Sequence, residues 1–353
     1  MSKFLCDNLK KLEEYVPGEQ PQDKKYVKLN TNESPYPASE KVVKGVDSLA
    51  VSNLRLYCDP TCKKLKSAIA NRYGVKNSQV FVSNGSDESL NFIFMAYGQK
   101  GVVYSDITYG FYSVFANLYS LKSTVLPLKE DFTQDVNGYL NQNKLIVIAN
   151  PNAPTGIELD KEKIELILQS NKDGIVVIDE AYVDFGGNSC VDLVDKYDNL
   201  IVVQTFSKSR SLAGARLGFA IANEELIKDL EKIKYSTNPY NVNTLTQIAG
   251  VMAIEDDEYY LNNANKIIKT REWTEKELKN LGFTVLDSKA NFIFAKSDKV
   301  GGEELYLKLK ENGVLVRHFA KERIKQFNRI TIGSIEQMEV LVDNVKKILG
   351  ENL

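Results

Sequence analysis

The chain has few of the residues on which many catalytic and structural sites depend. It contains one histidine, His318, in 353 residues, which excludes any mechanism that needs two. Its four cysteines, at positions 6, 58, 62 and 190, form no CxxC pair, and the pair at 58 and 62 has no second ligand pair to complete a zinc site. We therefore predict no metal site and expect free thiols, as in a reducing cytosol.

Long apolar runs, blocks of one charge and internal repeats are also missing. No apolar stretch of roughly 18 residues occurs, and residues 1–15 lack the apolar core of a signal peptide, so we expect a cytoplasmic protein without a membrane span. The 45 Lys and Arg residues nearly balance the 47 Asp and Glu residues, which leaves no field that would favour nucleic acid or a membrane surface. The apolar fraction of 43% is that of an ordinary globular protein, long enough for two domains.

Candidate strands rich in valine and isoleucine alternate with candidate helices from about residue 31 onward. This alternation predicts an α/β fold with a mostly parallel sheet and helices on both faces. Functional sites in such sheets lie in the crevice beyond the carboxyl ends of the strands. The candidate strands cover 79–83, 102–105, 145–149, 175–178 and 200–206, and the helices between them include 61–73, 86–97 and 160–169.

The pattern changes after residue 243, where long helices precede a second group of strands. Helices are predicted over 245–254 and 258–281, and Gly282 follows the second one as a left-handed cap. We expect a large domain over 31–250, and a second unit that combines an N-terminal arm, 1–30, with a small α+β domain, 251–353. The arm is expected to be a short helix followed by an irregular segment, and the small sheet to contain 284–286, 291–294, 314–316 and 330–332.

The segment 200–218 carries the strongest chemical signal. An apolar strand ends in Ser207-Lys208, and Arg216 follows eight residues after the lysine. Desolvation at the strand end would weaken the charge of the lysine and free its amine for Schiff-base chemistry. Ser207 and Arg216 could hold a phosphate beside it, and an amine next to a phosphate anchor is what pyridoxal 5′-phosphate requires. A surface lysine after a strand is the alternative interpretation.

Polar residues also follow the other predicted strands. Asp179 could keep a pyridine nitrogen protonated, with Tyr182 hydrogen-bonding the ring oxygen, although aspartate is also a common helix N-cap. The segment NGSDE, 84–88, opens a helix whose unpaired N–H groups could cradle a phosphate, although a plain capping sequence has the same letters.

Two further signals complete the series. Tyr109 could stack on a planar ring, although a core tyrosine is the default interpretation. NPNAPTG, 150–156, is a rigid turn whose asparagine could donate to the ring oxygen. Each signal is weak alone, but five of them at successive strand ends, with one lysine, point to one site.

In this order, NGSDES, TYGFY, NPNAPTG, IDEAY and FSKSRSLAGARLG resemble the motifs of the fold-type-I, class-II aminotransferases that depend on pyridoxal 5′-phosphate. The likeness runs over essentially the whole chain and is greatest to the branch of the family that acts on histidinol phosphate. The resemblance implies a homodimeric enzyme of histidine biosynthesis. The further matching segments are 15–19, 28–37, 55–75, 288–294, 313–319 and 328–334.

The resemblance also implies a role for individual residues. Lys208 would be the Schiff-base lysine and proton shuttle, Asp179 the partner of the pyridinium nitrogen, and Tyr182 the partner of the ring hydroxyl. Tyr109 would stack on the ring. The residues implied to hold the cofactor phosphate are Gly85, Ser86, Asp87, Ser207, Arg216 and, from the neighbouring subunit, Tyr57. The residues implied to bind the substrate are Arg329 and Arg317 at its anionic group, for which surface ion pairing is the alternative, and Tyr15 and Asn32 at the entrance.

The chain departs from the family pattern at three places. Ala153 stands where the asparagine that contacts the ring oxygen is usual, so either Asn152 takes over that contact or Tyr182 makes it alone. Ile107 stands near the position of a usual proline. The lysine is followed by residues 209–211, SRS, where small or apolar residues are more common.

The resemblance implies glutamate and 2-oxoglutarate as one substrate pair, and histidinol phosphate with imidazole-acetol phosphate as the other. Two related activities remain open on the same motifs: a threonine-phosphate decarboxylase and a broad aromatic aminotransferase. A regulator that binds pyridoxal phosphate and DNA without turnover is disfavoured, because the arm of about 30 residues is too short and too weakly basic for a DNA-binding domain.

Overall fold

The computed structural model describes residues 5, 9, 10 and 12–350. Cys6 and most of the helix expected in the N-terminal arm lie outside these residues. The first part of the described chain contains β1 (Val27–Lys28), α1 (Glu40–Gly45), α2 (Ser48–Ser52), α3 (Lys63–Tyr73), β2 (Val80–Ser83), α4 (Ser86–Tyr97), β3 (Val102–Ser105), α5 (Phe111–Leu118), β4 (Ser123–Leu126), β5 (Leu145–Ala149), α6 (Lys161–Ser170), β6 (Val176–Asp179), β7 (Leu200–Thr205), β8 (Gly218–Ala222), α7 (Glu224–Thr237) and α8 (Thr244–Glu255).

The remaining elements follow a long helix, α9 (Asp257–Asn280). Gly282, just beyond it, has a φ of +86°, which agrees with the left-handed cap expected there. The later elements are β9 (Phe283–Val285), β10 (Phe292–Ser297), α10 (Gly302–Glu311), β11 (Val314–Leu315), β12 (Arg317–His318), β13 (Phe327–Thr331) and α11 (Ile335–Leu349).

Seven strands form the large sheet, in the order β2-β8-β7-β6-β5-β3-β4. β8 runs antiparallel to both of its neighbours, and the pairs from β7 to β4 are all parallel. The expectation of a mostly parallel sheet is therefore confirmed. The five strands predicted for it all occur, with boundaries within one residue of those expected.

Helices cover both faces of this sheet, and alternate residues of its buried strands belong to two different hydrophobic clusters, one on each face. Val176 and Ile178 of β6 pack with residues of α3, α6 and α8 on one face. Val177, between them, packs with residues of α4, α5 and α7 on the other. Burial on both faces explains why these strands appear in the sequence as nearly continuous apolar runs.

A four-stranded antiparallel sheet, β12-β13-β10-β9, forms the smaller layer and packs with α9, α10 and α11. The assignment of 314–316 to this sheet was wrong. β11 instead pairs in parallel with β1, where Val27 lies opposite Val314, and so attaches the end of the N-terminal arm. The proposed boundary near residue 250 stays a prediction. Within the described part of the chain, no helix has the length and apolarity needed to cross a membrane.

Candidate active site at the carboxyl edge of the large sheet

A cavity of about 740 Å³ lies beyond the carboxyl ends of β5, β6 and β7. The first turn of α4, the N-terminal arm and two strands of the small sheet contribute its other walls. The fold thus brings together motifs that are far apart in the sequence. The predicted site residues that line it are Tyr15, Asn32, Ser86, Asp87, Tyr109, Asp179, Tyr182, Ser207, Lys208, Arg216, Arg317 and Arg329.

Lys208 lies in the loop that follows β7, with its amine inside the cavity wall. Its Nζ donates to the carbonyl oxygen of Thr31 at 3.3 Å and lies 5.8 Å from the centre of the Tyr182 ring. Burial lowers the pKa of Lys208 to about 8, and the positive charge of Arg329 acts in the same direction. The neutral, nucleophilic form of the amine is therefore accessible near neutral pH.

This shift predicts a pH profile for the protein without cofactor. Labelling of Lys208 by an amine-reactive acylating reagent should rise with a midpoint near pH 8, instead of the pKa of 10.5 of an ordinary lysine, because only the neutral amine reacts. Arg329→Met should move the midpoint upward, since it removes a nearby positive charge. Peptide mapping would follow Lys208 alone, with Arg323→Met as the matched control, and a midpoint near 10.5 in the unaltered protein would contradict the assignment.

Asp179 is the last residue of β6, and its carboxylate is buried. Its Oδ2 accepts a hydrogen bond from the Tyr112 hydroxyl at 2.7 Å, whereas its Oδ1 is buried without a partner among the described residues. Burial raises the pKa of Asp179 to about 6, and the charge of Asp87 adds to this effect. The short helix that follows β6 begins at Val183 with Tyr182 at its N-cap, so Asp179 is not a helix cap. An unpaired carboxylate oxygen in the wall of a cavity suits a cationic N–H donor such as a protonated pyridine nitrogen.

Tyr182 and Asn32 meet inside the cavity wall. The Asn32 Nδ2 donates to the Tyr182 hydroxyl at 3.0 Å. Asn32 was expected at the entrance to the site, but it is 1% exposed and is held between the two sheets. Tyr182 also packs edge-on against Phe292 of β10, with ring centres 5.0 Å apart, so that its ring is fixed in position.

The first turn of α4 offers an anion site. Gly85, at its N-cap, has a φ of +77°, which favours glycine, and no side chain caps the helix. A Cβ on Gly218 of β8 would lie 2.3 Å from the main-chain nitrogen of Ser86, so the sheet packs directly against this turn. The first N–H groups of a helix have no intrahelical partner and carry partial positive charge, which suits a phosphate.

Arg216 lies beside this helix terminus and is braced by Asp87. Its Nη2 pairs with Asp87 Oδ2 at 3.0 Å, and the Tyr109 hydroxyl donates to the other carboxylate oxygen at 2.8 Å. A Cβ on Gly85 would lie 2.7 Å from the same guanidinium nitrogen. The carboxylate of Asp87 therefore holds Arg216 and Tyr109, and only its main-chain N–H suits an anionic ligand.

Two arginines from the small sheet face the cavity from the opposite side. Arg329 of β13 donates from Nη2 to the carbonyl oxygen of Asn30 at 2.9 Å, and its Nε is buried without a partner among the described residues. Arg317 of β12 donates to the carbonyl oxygens of Val16 and Pro17 at 3.1 and 3.2 Å. Neither arginine forms an ion pair with another described residue, so the structure does not support the alternative that the two arginines serve only in surface ion pairs.

Tyr15 belongs to the N-terminal arm at the mouth of the cavity. Its ring stacks on Phe111 with centres 4.3 Å apart and meets the Tyr109 ring edge-on at 6.1 Å. The arm segment that Arg317 binds follows Tyr15 directly, so the arm forms part of the wall next to the arginines.

The turn after β5 does not present Asn152 to the cavity. Its Nδ2 donates to the carbonyl oxygen of Ile107 and to Thr155 Oγ1, both at 3.0 Å, and its Oδ1 accepts from Thr108 at 2.8 Å. The assignment of Asn152 to the cofactor is therefore corrected, because Asn152 does not line the cavity and its amide is already engaged by Ile107 and Thr108 after β3 and by Thr155 in its own turn. Ala153 lines the cavity at this point and packs against Tyr182.

Tyr57 lies away from the cavity of its own chain. It is 84% exposed, and its ring stacks on Tyr240 with centres 4.5 Å apart. Tyr57 therefore does not contribute to the cavity of its own chain.

Sequence reasoning missed the partner of the key carboxylate. Tyr112 is fully buried at the start of α5 and donates to Asp179. Its only signal was its place three residues after Tyr109 in the same aromatic segment. The carbonyl oxygen of Thr31, which accepts from Lys208, had no signal, because main-chain groups are not encoded by residue type.

Comparison with known proteins shows the family of this chain. Residues 24–345 match the family model described as aminotransferase class I and II. The chain belongs to the class I and II aminotransferases, which confirms the resemblance inferred from its motifs. It is 53% identical to the histidinol-phosphate aminotransferase of Brachyspira hyodysenteriae over 99% of both chains, and 48% identical to that of Clostridium botulinum strain Okra over 99% of this chain and 100% of the relative.

Solved structures share the fold at low sequence identity. The histidinol-phosphate aminotransferase of Sinorhizobium meliloti in complex with pyridoxal-5′-phosphate has a TM-score of 0.89 at 21% identity and covers 99% of this chain and 98% of its own. The L-threonine-O-3-phosphate decarboxylase of Porphyromonas gingivalis has a TM-score of 0.80 at 21% identity, covering 92% of this chain and 99% of its own. The predicted α/β fold of type I is confirmed, and the fold alone does not separate the two activities.

Proposed function

We propose that this protein is a pyridoxal 5′-phosphate-dependent aminotransferase that exchanges an amino group between histidinol phosphate and 2-oxoglutarate, as a step of histidine biosynthesis in the cytoplasm. The observation that carries the proposal is the pairing, in one cavity, of a lysine whose pKa is lowered to about 8 with a buried carboxylate that has one unpaired oxygen. The choice of substrate is supported by the names of relatives that are 53% and 48% identical over nearly the whole chain.

The residues of the cavity fit the cofactor at both of its ends. Asp179 would hold the pyridine nitrogen, Tyr182 the ring oxygen and Tyr109 one face of the ring. When bound, pyridoxal 5′-phosphate withdraws the electrons that remain on the substrate carbon after its proton leaves. The residues proposed to hold the cofactor phosphate are Ser86 and Asp87 through their main-chain N–H groups, and Ser207 and Arg216 through their side chains. Gly85 donates its own N–H to the Ser83 carbonyl oxygen at 3.0 Å, and its proposed contribution is the space that it leaves beside Arg216.

Lys208 would have two functions. Its amine would hold the cofactor covalently before substrate binds, and once released it would act as the base that takes the proton from the substrate Cα. Positioned general bases of this kind typically contribute a rate factor of about 10²–10⁴. With a pKa of about 8, both the protonated and the neutral amine are populated near neutral pH.

Arg329 and Arg317 would bind the anionic end of the substrate. A guanidinium presents parallel N–H donors that match a phosphate or a carboxylate, so the same pair can serve histidinol phosphate in one half-reaction and 2-oxoglutarate in the other. The donors of both arginines now bond to main-chain carbonyls of residues 16, 17 and 30, which a charged ligand would outcompete. Tyr15 would close the mouth of the site beside them.

Turnover of three amines would test the proposal. Purified holoenzyme would be offered histidinol phosphate, threonine phosphate and an aromatic amino acid with 2-oxoglutarate, and glutamate and CO₂ would be measured separately. We expect glutamate from histidinol phosphate with the highest kcat/KM and no CO₂. Release of CO₂ from threonine phosphate would instead identify a decarboxylase, and preference for the aromatic amine would identify a broad aromatic aminotransferase.

We further propose a homodimer in which Tyr57 reaches the cofactor phosphate of the neighbouring subunit. The segment around Tyr57 exposes several large apolar side chains, and a concentration of exposed apolar residues is typical of a protein interface. The exposure of Tyr57 itself, away from its own cavity, supports the same arrangement. The apolar residues exposed in this segment are Val43, Leu49, Val51, Leu54 and Leu56.

Mixed dimers would show whether Tyr57 acts across the interface. Lys208→Ala and Tyr57→Ala homodimers should each be impaired, because each lacks one group in both sites. After subunit exchange, a mixed dimer should regain one site with both groups intact. The activity of each mixed dimer should therefore rise toward about half that of an unaltered dimer. If activity does not rise although exchange is verified with differently tagged subunits, Tyr57 does not act in trans.

A further inference from the structure

Asn32 is placed where it controls the direction of the Tyr182 hydroxyl. Its side-chain amide has two ends, and each has a different partner: Oδ1 accepts from the Thr331 hydroxyl at 2.9 Å, and Nδ2 donates to the Tyr182 hydroxyl at 3.0 Å. Asn32 is 1% exposed, and its φ of +55° lies in the left-handed region. Such a buried, conformationally unusual residue is held by its surroundings.

Thr331 sets the orientation of this amide. The main-chain N–H of Asn32 donates to Thr331 Oγ1 at 3.0 Å, so the threonine hydroxyl must direct its single proton elsewhere. That proton goes to Asn32 Oδ1. With its oxygen engaged by Thr331, the amide can present only its NH₂ group to Tyr182. Asn291 fixes the backbone further by donating to the Asn32 carbonyl oxygen at 3.1 Å.

The Tyr182 hydroxyl is consequently an acceptor toward Asn32 and keeps its own proton for another partner. Asn32 is its one hydrogen-bond partner among the described residues. Ala153, which packs against Tyr182 in the cavity wall, offers only a methyl group. Burial raises the pKa of Tyr182 above its ordinary value, so the hydroxyl stays protonated at neutral pH.

We propose that Asn32 is a positioning residue, oriented by Thr331, that turns the Tyr182 hydroxyl proton into the cavity so that it can donate to the ring oxygen of the cofactor. The proposal rests on the proposed function, because it requires the cofactor ring oxygen to lie at Tyr182. It also explains how the chain works without an asparagine at position 153: a single donor is enough when its direction is fixed.

The pH dependence of the absorbance of the bound cofactor would test this. A donor at the ring oxygen withdraws negative charge from it, so the Lys208 nitrogen joined to the cofactor holds its proton less tightly. Tyr182→Phe should therefore raise the midpoint of the absorbance change by about one pH unit, the equivalent of one hydrogen bond. Asn32→Gly, which tolerates the positive φ, should raise it by about half a unit and weaken cofactor binding about threefold in equilibrium dialysis. Thr331→Val should shift both in the same direction.

A double variant separates positioning from general structural damage. If Asn32 acts through Tyr182, Asn32→Gly should leave the midpoint unchanged in the Tyr182→Phe background. Asn328→Ala is the matched control, since Asn328 is a buried asparagine of β13, the strand that holds Thr331, and donates to the Gly302 carbonyl oxygen at 2.8 Å. This variant should not move the midpoint.

The outcomes are distinguishable. An upward shift in Tyr182→Phe without one in Asn32→Gly would overturn the inference and leave the proposed function standing. Equal shifts from Asn32→Gly in both backgrounds would also overturn it. If the unaltered protein binds no pyridoxal 5′-phosphate, the proposed function itself fails.

Discussion

Lys208→Ala should reduce kcat/KM for amino transfer by more than about 10³-fold, because the variant lacks both the covalent anchor and the base that moves the proton. The amine is buried, faces the cavity and has its pKa lowered to about 8, all of which suit it to both tasks. Steady-state kinetics with histidinol phosphate and 2-oxoglutarate would measure the loss.

Lys321 supplies the control for this prediction. It lines the same cavity and donates to the carbonyl oxygen of Asp106, but it is not proposed to join the cofactor. Lys321→Ala should still give the yellow protein with its cofactor absorbance. Normal turnover by Lys208→Ala, or loss of cofactor binding only in Lys321→Ala, would mean that the wrong lysine has been assigned.

Asp179→Asn should reduce kcat/KM by at least about 10³-fold, or roughly 4 kcal/mol of transition-state stabilisation. Asparagine keeps the size of the side chain and can still accept from Tyr112. It removes the negative charge from Oδ1, the oxygen without a partner, and so would no longer keep a pyridine nitrogen protonated. Kinetics and the cofactor dissociation constant would measure the effect.

The same variant should stabilise the protein without cofactor. The pKa of Asp179 is raised to about 6 in the folded chain from 3.8, so the folded state holds the proton of this carboxyl more tightly than the unfolded state does. The stabilisation from this proton is complete below pH 3.8 and is lost as the pH rises through 6. At pH 7 the ionised carboxylate thus costs on the order of 3 kcal/mol, which Asp179→Asn removes. Urea unfolding of the cofactor-free proteins should show higher stability for the variant at pH 7 and a smaller difference at pH 4. Lower stability at pH 7 would contradict the account.

Most of the large sheet could be predicted because its strands are buried on both faces. β3 and β5 have the predicted boundaries, because each is a short, fully buried and mainly apolar run between polar or glycine residues. β4 and β8 were not predicted. β4 lies at the sheet edge with alternate residues exposed, so it lacks the apolar run of a buried strand. β8 is a five-residue run in which glycine and alanine alternate with Phe219 and Ile221, and a short apolar run of this kind does not by itself identify a strand.

The site could be predicted to the level of motifs but not of contacts. The order of polar residues at strand ends identified Lys208 and Asp179, because parallel strands bring their carboxyl ends to one edge. The direction of a side chain depends on partners far away in the sequence: Asn32 meets Tyr182 150 residues later, and Tyr112 meets Asp179 67 residues later. For the same reason, nothing in the turn sequence showed that Asn152 is engaged by Ile107 and Thr108.

The most direct test of the central claim is the identity of the residue that forms a covalent bond with the cofactor. The protein would be incubated with pyridoxal 5′-phosphate, reduced with borohydride and digested, and the labelled peptide would be sequenced by mass spectrometry. We expect one label per chain, on Lys208. A protein that stays colourless and unlabelled, or that carries its label on a different lysine, would contradict the account.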